Sequence, residues 1–303
     1  MASDSIEINK LKENSRLLFL KDLLLLSKPR ITLMSVLMAL GGFYLSNAEF
    51  SASVLMYSML GVALIVASAN TLNMYLERDT DSLMKRTSKR PLPDKRLSSK
   101  TALIFGVVLG VLSLLILYFF VNRITTLLAG IALVLYVWVY TPLKYKSPIA
   151  LFIGAVPGAF PPLLGWTSAT GKVSEPGLVL FLILFLWQIP HFLAIALIRK
   201  DEYQFAGIKA LPTIKKESII KSQIFIYSII MIPVSLLLLY FRVSGLFYGV
   251  VSFAVGVWFS KEAYSGMQTK DGDFSKVKKV YYGSLIYLPV IIFALILDIT
   301  LFH

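Results

Sequence analysis

Long apolar runs alternate with short polar ones from residue 31 to the end of the chain. They lie near 31–47, 53–76, 101–121, 124–141, 148–167, 177–198, 219–241, 244–260 and 280–302. Each has roughly the 17 to 25 residues that a helix needs to cross a bilayer. The pattern predicts an all-α polytopic fold, with nine transmembrane helices in one domain spanning 29–303. Residues 1–28 read differently: acids and bases mix, and Lys21 and Asp22 interrupt the apolar patch from Leu17 to Leu26. An amphipathic segment lying on the membrane surface is expected there, with Ser27-Lys28-Pro29-Arg30 leading into the first span. No signal or transit peptide is legible in it.

Composition agrees with the pattern. A hydrophobic fraction of 57% against 16% charged residues lies far outside the range of soluble domains. The net charge of +13 would suggest a nucleic-acid partner in a soluble protein, but its distribution gives another account. With the N-terminus cytoplasmic, 27 of the 30 Lys and Arg fall on the inner side, leaving Arg123, Lys172 and Arg242 outside. Such asymmetry predicts N-terminus in and C-terminus out, and it removes the case for nucleic acid. A bacterial plasma membrane is the expected location. Cysteine is absent, which excludes disulfides, thiolate metal sites and a cysteine nucleophile.

The outer connections are short, whereas two inner ones run to twenty residues or more and hold seven of the 17 acids, so chemistry is expected on the cytoplasmic face. At the inner end of the second span stands Asn73-Met-Tyr-Leu-Glu77-Arg78-Asp79-Thr-Asp81. Continued as a helix, positions 73, 77 and 81 share one face. An amide oxygen and two carboxylates suit a hard cation such as Mg2+, which usually shares its sphere with phosphate oxygens. Basic residues follow closely at Arg78, Lys85, Arg86 and Arg90. A solvated helix end with self-balancing charges is an equal reading of this segment taken alone.

Two further segments stand out. Gly154-Ala-Val-Pro157-Gly-Ala-Phe-Pro161-Pro162 is dense in helix breakers, so the fifth span is expected to kink inside the bundle and line a cavity. Gln188 and His191 interrupt the sixth apolar run, with Arg199, Asp201, Glu202 and Tyr203 at its end. Intramembrane polar groups are costly and should face the bundle interior. There the histidine could ligate haem iron or bond a backbone carbonyl. Two acidic helix ends on one side could hold a metal-bound diphosphate between them, with an allylic chain running into the apolar bundle.

These residues resemble the UbiA superfamily of intramembrane prenyltransferases, and more closely its haem branch. The resemblance is carried by Ser27-Lys28-Pro29-Arg30-Ile31-Thr32, Asn73 through Pro93, Tyr140-Thr-Pro-Leu-Lys144, Pro157 through Trp166, Gln188-Ile-Pro-His191-Phe192 and Tyr203 through Pro212. It implies nine helices around a central cavity, with Asn73, Glu77 and Asp81 as catalytic ligands of Mg2+ against the diphosphate. Glu77 stands where the superfamily has an aspartate, and the second Asp-x-x-x-Asp of quinone-type members is incomplete at Asp201-Glu202-Tyr203-Gln204-Phe205. The implied reaction transfers the farnesyl group of farnesyl diphosphate to a vinyl group of haem b, with addition of water, giving haem O. Substrate-binding residues are then Arg78, Lys85, Arg86, Arg90 and Lys144 for diphosphate, His191 for haem, Arg199 for a propionate, and Glu202 and Tyr203 at the rim. The branch also points to haem A synthase or a terminal oxidase assembly pathway as partners. The rival readings are prenylation of an aromatic quinone precursor and a non-catalytic haem-binding or transport protein.

Overall fold

The computed structural model describes residues 16–302, and side chains over residues 16–301. The first half of the expected amphipathic segment, residues 1–15, lies outside the described residues. Among the described residues there is no strand. Helix α1 (Arg16–Leu26) meets α2 (Pro29–Leu45) at a 50° bend. The long helices that follow are α3 (Ala52–Asp81), α4 (Ser99–Phe120), α5 (Arg123–Leu143), α6 (Ala150–Thr170) and α7 (Glu175–Ile198). After the short α8 (Lys200–Phe205) and α9 (Leu211–Ile214) come α10 (Glu217–Tyr240), α11 (Leu246–Met267) and α12 (Ser275–Phe302). The nine expected spans correspond to α2–α7 and α10–α12. Seven are long and apolar enough to cross a membrane, and the bent α1–α2 pair makes an eighth. The chain is therefore an integral membrane protein. Helix α11 falls short because Lys261 and Glu262 enter its last turns.

Consecutive helices pack side by side, α3 against α4 and α10 against α11, while α2 lies along α6. Helices α6 and α7 are the most buried, in keeping with a place at the centre. The α2–α6 contact is a backbone approach that only glycine permits. A methyl group on Gly165 would overlap the Ala39 carbonyl, and one on Gly42 would overlap that of Pro162. Despite Pro157, Pro161 and Pro162, α6 runs as continuous helix, so no break in secondary structure accompanies the prolines. Pro162 does line a cavity. A small, mainly apolar pocket of about 50 Å³ opens among Leu37, Met38, Pro162, Leu184, Leu288 and Ile292, toward the helix ends remote from the long loops.

Helix α1 exposes Leu17, Leu18, Leu20 and Leu24 and turns Leu26 inward against Met74, Leu92 and Leu97. Its outer face is apolar, as a segment embedded at a membrane surface requires. Asp22 is buried and receives the Arg96 guanidinium at 3.0 Å, which fastens α1 to the 82–98 loop.

Candidate active site

Four-residue spacing does place Asn73, Glu77 and Asp81 on one face of α3, and all three are buried. A buried carboxylate must be paired or ligated. The partners come from three loops at the same end of the bundle. Arg90 Nη1 lies 2.5 Å from Asp81 Oδ2 and Lys144 Nζ lies 2.5 Å from Glu77 Oε1. Lys28 Nζ donates to Asn73 Oδ1 at 3.1 Å. The loop after α3 folds back so that the Thr87 hydroxyl donates to the Asp81 carbonyl at 2.7 Å.

Lys28 holds this position because the chain turns sharply between α1 and α2. Its φ of 47° is left-handed, an uncommon conformation outside glycine. Desolvation lowers the Lys28 pKa to about 8, with Arg90 adding repulsion and Glu77 and Asp81 opposing it.

Asn73 is held from its other side. Its amide Nδ2 donates to Thr141 Oγ1 at 3.1 Å, and the Thr141 hydroxyl donates to the Tyr136 carbonyl at 2.8 Å. A lysine can only donate, and the threonine proton is already committed, so both contacts fix the same amide orientation. Oδ1 therefore faces Lys28, Glu77 shares its face, and the amide cannot flip without losing both bonds. Residues 135–140 of α5 form a π-turn, a local widening that is frequent at functional positions, and Thr141 follows it directly.

The donor set fits a hard cation. Glu77 Oε1 is buried and, despite the nearby ammonium, receives no hydrogen bond of acceptable geometry; Asn73 Oδ1 is aimed by Thr141; Asp81 adds a carboxylate. Among the described residues no group of three or more His, Cys, Asp or Glu converges on one point. A metal here would share its sphere with oxygens from elsewhere, as Mg2+ does with substrate phosphates.

The remaining expected residues divide. Tyr203 joins the site's roof: with Met84, Tyr145, Ala206 and Ile208 it forms an apolar cluster across three loops, and the Lys209 amide donates to the Lys144 carbonyl at 3.0 Å. Burial raises the phenol pKa values of Tyr145 and Tyr203, so both stay protonated. Arg199 and Glu202 pair with each other at 2.9 Å at the rim. Arg78 turns away, donating to the Tyr75 carbonyl at 2.8 Å and resting over the Tyr75 ring. Lys85 and Arg86 are exposed.

His191 is separate from the acidic face. It is buried against α12, with Nδ1 at 2.7 Å from Ser284 Oγ, so it bonds a hydroxyl rather than a carbonyl. Its ring stacks on Trp187 at 4.9 Å and lies against Tyr281 and Phe192. Gln188 serves packing: its amide spans to the Ala155 carbonyl at 3.2 Å, over Gly158, where any side chain would collide.

Lys28, Thr141 and Ser284 are the site residues that sequence reasoning did not single out by role. Lys28 and Thr141 at least lie within segments that carried the resemblance. Ser284 had no local signal.

The fold is a helical membrane bundle with buried carboxylates and cations gathered at one end. The UbiA prenyltransferase family matches residues 33–286, and this chain belongs to that family. It is similar to the protoheme IX farnesyltransferase of Anaeromyxobacter dehalogenans, 41% identical over 282 residues that cover 93% of this chain and 95% of that one. The protein of the same name from Sorangium cellulosum is 44% identical over 258 residues, 85% of this chain and 91% of that one. Among solved structures, a digeranylgeranylglyceryl phosphate synthase aligns with a TM-score of 0.79 at 19% identity, covering 92% of this chain and 98% of that one. A UbiA homologue from Archaeoglobus fulgidus, bound to GPP and Mg2+, aligns at 0.66 and 16% identity, covering 90% and 99%. These structures carry the fold, and the fold agrees.

Proposed function

We propose that this chain transfers the farnesyl group of farnesyl diphosphate to a vinyl group of haem b, water supplying a hydroxyl, to give haem O and diphosphate. The observation that carries the reading is the buried Asn73–Glu77–Asp81 face ringed by Lys28, Arg90 and Lys144. Relatives named protoheme IX farnesyltransferase, 36–44% identical over most of the chain, support the choice of acceptor.

Asn73, Glu77 and Asp81 would hold Mg2+, which supplies positive charge against the diphosphate when bound. Arg90, Lys144 and Lys28 are long, flexible cations already at the mouth. Diphosphate oxygens would draw them from the carboxylates, so that they stabilise the negative charge that leaves with the carbon–oxygen bond electrons. Lys85 and Arg86 extend the same basic surface, and Arg78 contributes only if it leaves Tyr75. The farnesyl tail runs from this mouth into the apolar interior of the bundle. Tyr136 and Tyr140, 5.3 Å apart between ring centroids, and the aromatic rings around His191 offer walls that shield an allylic cation from water. The haem vinyl group attacks that cation, and water adds to the carbocation then left on the acceptor and gives up one proton to solvent, leaving the hydroxyl. His191 meets the haem, while Arg199, Glu202 and Tyr203 form the rim toward its propionates. The lysine and arginine asymmetry supports a mouth on the cytoplasmic side, and a bacterial plasma membrane is the location proposed with it.

The test incubates membranes containing the protein with farnesyl diphosphate and either haem b or a hydroxybenzoate, followed by mass spectrometry. Haem enlarged by one farnesyl group and one hydroxyl is expected. A prenylated benzoate without modified haem would establish the quinone-precursor reading instead.

A further inference from the structure

His191 is anchored by a chain of hydrogen bonds whose direction can be read from proton counting. Ser284 is fully buried on α12, and its single hydroxyl proton goes to the Tyr281 carbonyl at 2.6 Å. Its oxygen therefore accepts from His191 Nδ1, 2.7 Å away, which makes Nδ1 the protonated nitrogen of the neutral ring. The lone pair then sits on Nε2. Among the described residues nothing hydrogen-bonds Nε2, although the side chain is buried. Rotation of the ring is also blocked, since Trp187 stacks on one face with planes 19° apart and Tyr281 lies 5.2 Å away. Trp187 is itself pinned, its indole N–H donating to the Ser284 carbonyl at 2.7 Å. A histidine with one N–H committed to a fixed acceptor and the other nitrogen bare is the arrangement that metal-ligating imidazoles share.

We infer that Ser284 is a positioning residue that fixes the tautomer and aim of His191, so that Nε2 is presented to the iron of the bound haem. The inference rests on the haem reading above and adds the atom that meets the substrate and the residue that sets it. Haem binding would then draw on both α7 and α12. Ser284 itself touches no substrate.

The experiment titrates haem b into the detergent-solubilised full-length protein and records the Soret band and the ferrous–CO spectrum for wild type, His191→Ala, Ser284→Ala and Ser284→Thr. Alanine keeps the backbone carbonyl that Trp187 uses, and thermal unfolding of the haem-free proteins checks that each variant is folded. Expected are loss of the histidine-ligated spectrum in His191→Ala and roughly 10- to 100-fold weaker haem binding in Ser284→Ala, with recovery in Ser284→Thr. In turnover, Ser284→Ala should raise KM for haem and leave KM for farnesyl diphosphate unchanged, a split that general loosening of the bundle would not produce. A wild-type spectrum and affinity in Ser284→Ala, alongside a lost spectrum in His191→Ala, overturns the positioning role alone. An unchanged spectrum in His191→Ala overturns the contact between His191 and iron.

Discussion

The acidic face of α3 and the histidine of α7 are both buried polar sites in an apolar bundle, yet they are held in opposite ways. Asp81 and Glu77 are neutralised by Arg90 and Lys144, side chains with several rotatable bonds, reaching in from loops. His191 is held by Ser284, a one-carbon side chain on a helix, and by a stacked indole. Flexible cations can be exchanged for another positive charge or shared with an incoming anion at small cost in packing. A short hydroxyl locked between two helices cannot move, and it preserves one tautomer. The first arrangement suits a site that must admit and release a charged group, and the second suits one that must present a fixed atom. Asn73 belongs to the second kind although it sits on the first face, because Thr141 and the Tyr136 carbonyl hold its amide.

Asp81→Asn should break this comparison most sharply. Loss of the carboxylate leaves Arg90 without its 2.5 Å partner and removes one oxygen from the proposed metal face. Farnesyl transfer should fall about 100- to 1,000-fold, the range found when one preorganised electrostatic group is removed. Haem titration should give the wild-type spectrum, since His191 depends on α12 and not on α3. Unchanged transfer would remove Asp81 from catalysis, and a lost haem spectrum would show that the two sites are coupled.

Thr141→Val sharpens the distinction within the acidic face. The substitution keeps shape and removes the hydroxyl that accepts from Asn73, so that Lys28 alone is left to hold the amide. Binding of Mn2+, used as a spectroscopic probe in place of Mg2+ in the presence of farnesyl diphosphate, should weaken about 10- to 100-fold. Thr141→Ser should restore it. Equal binding by valine and threonine forms would show that Lys28 alone orients Asn73.

Much of this was legible along the chain because bilayer thickness and helix geometry are local constraints. Each expected span is found as a long helix. The ends differ where helices outrun their apolar runs: α3 continues to Asp81, α11 to Met267, and α12 begins at Ser275, since a helix that leaves the membrane loses no backbone hydrogen bonds by going on. The Asn73–Glu77–Asp81 face followed from spacing within one helix. What spacing could not supply was the pairing between helices. Lys28 reaches Asn73 across 45 positions and His191 reaches Ser284 across 93, and neither distance leaves a mark in periodicity. Arg78 shows the converse. Its place among the inner basic residues made it a candidate for diphosphate, but one step along a helix from Glu77 rotates a side chain by about 100°, and Arg78 rests against Tyr75.

The smallest effect is expected where the acidic face is supported from the surface. Arg96 clasps Asp22 through Nε at 3.0 and 3.2 Å and also pairs with Asp94, and its side chain is 39% exposed. Exposed ion pairs contribute about 0–1 kcal/mol, while apolar packing of Leu26 on Met74, Leu92 and Leu97 independently holds α1 against the loop. Lys28 should therefore keep its place when the pair is cut, and transfer should stay within about fivefold of wild type for either Asp22→Asn or Arg96→Ala. The two variants should still differ in stability. Asp22→Asn leaves an arginine that water and Asp94 can satisfy, whereas Arg96→Ala leaves a buried carboxylate without its cation, the costlier defect. Thermal unfolding should rank wild type and Asp22→Asn close together, with Arg96→Ala below them. A large loss of transfer in either variant would mean that the loop cations of the acidic face are held in place by α1, and are less free to be exchanged than the comparison with His191 requires.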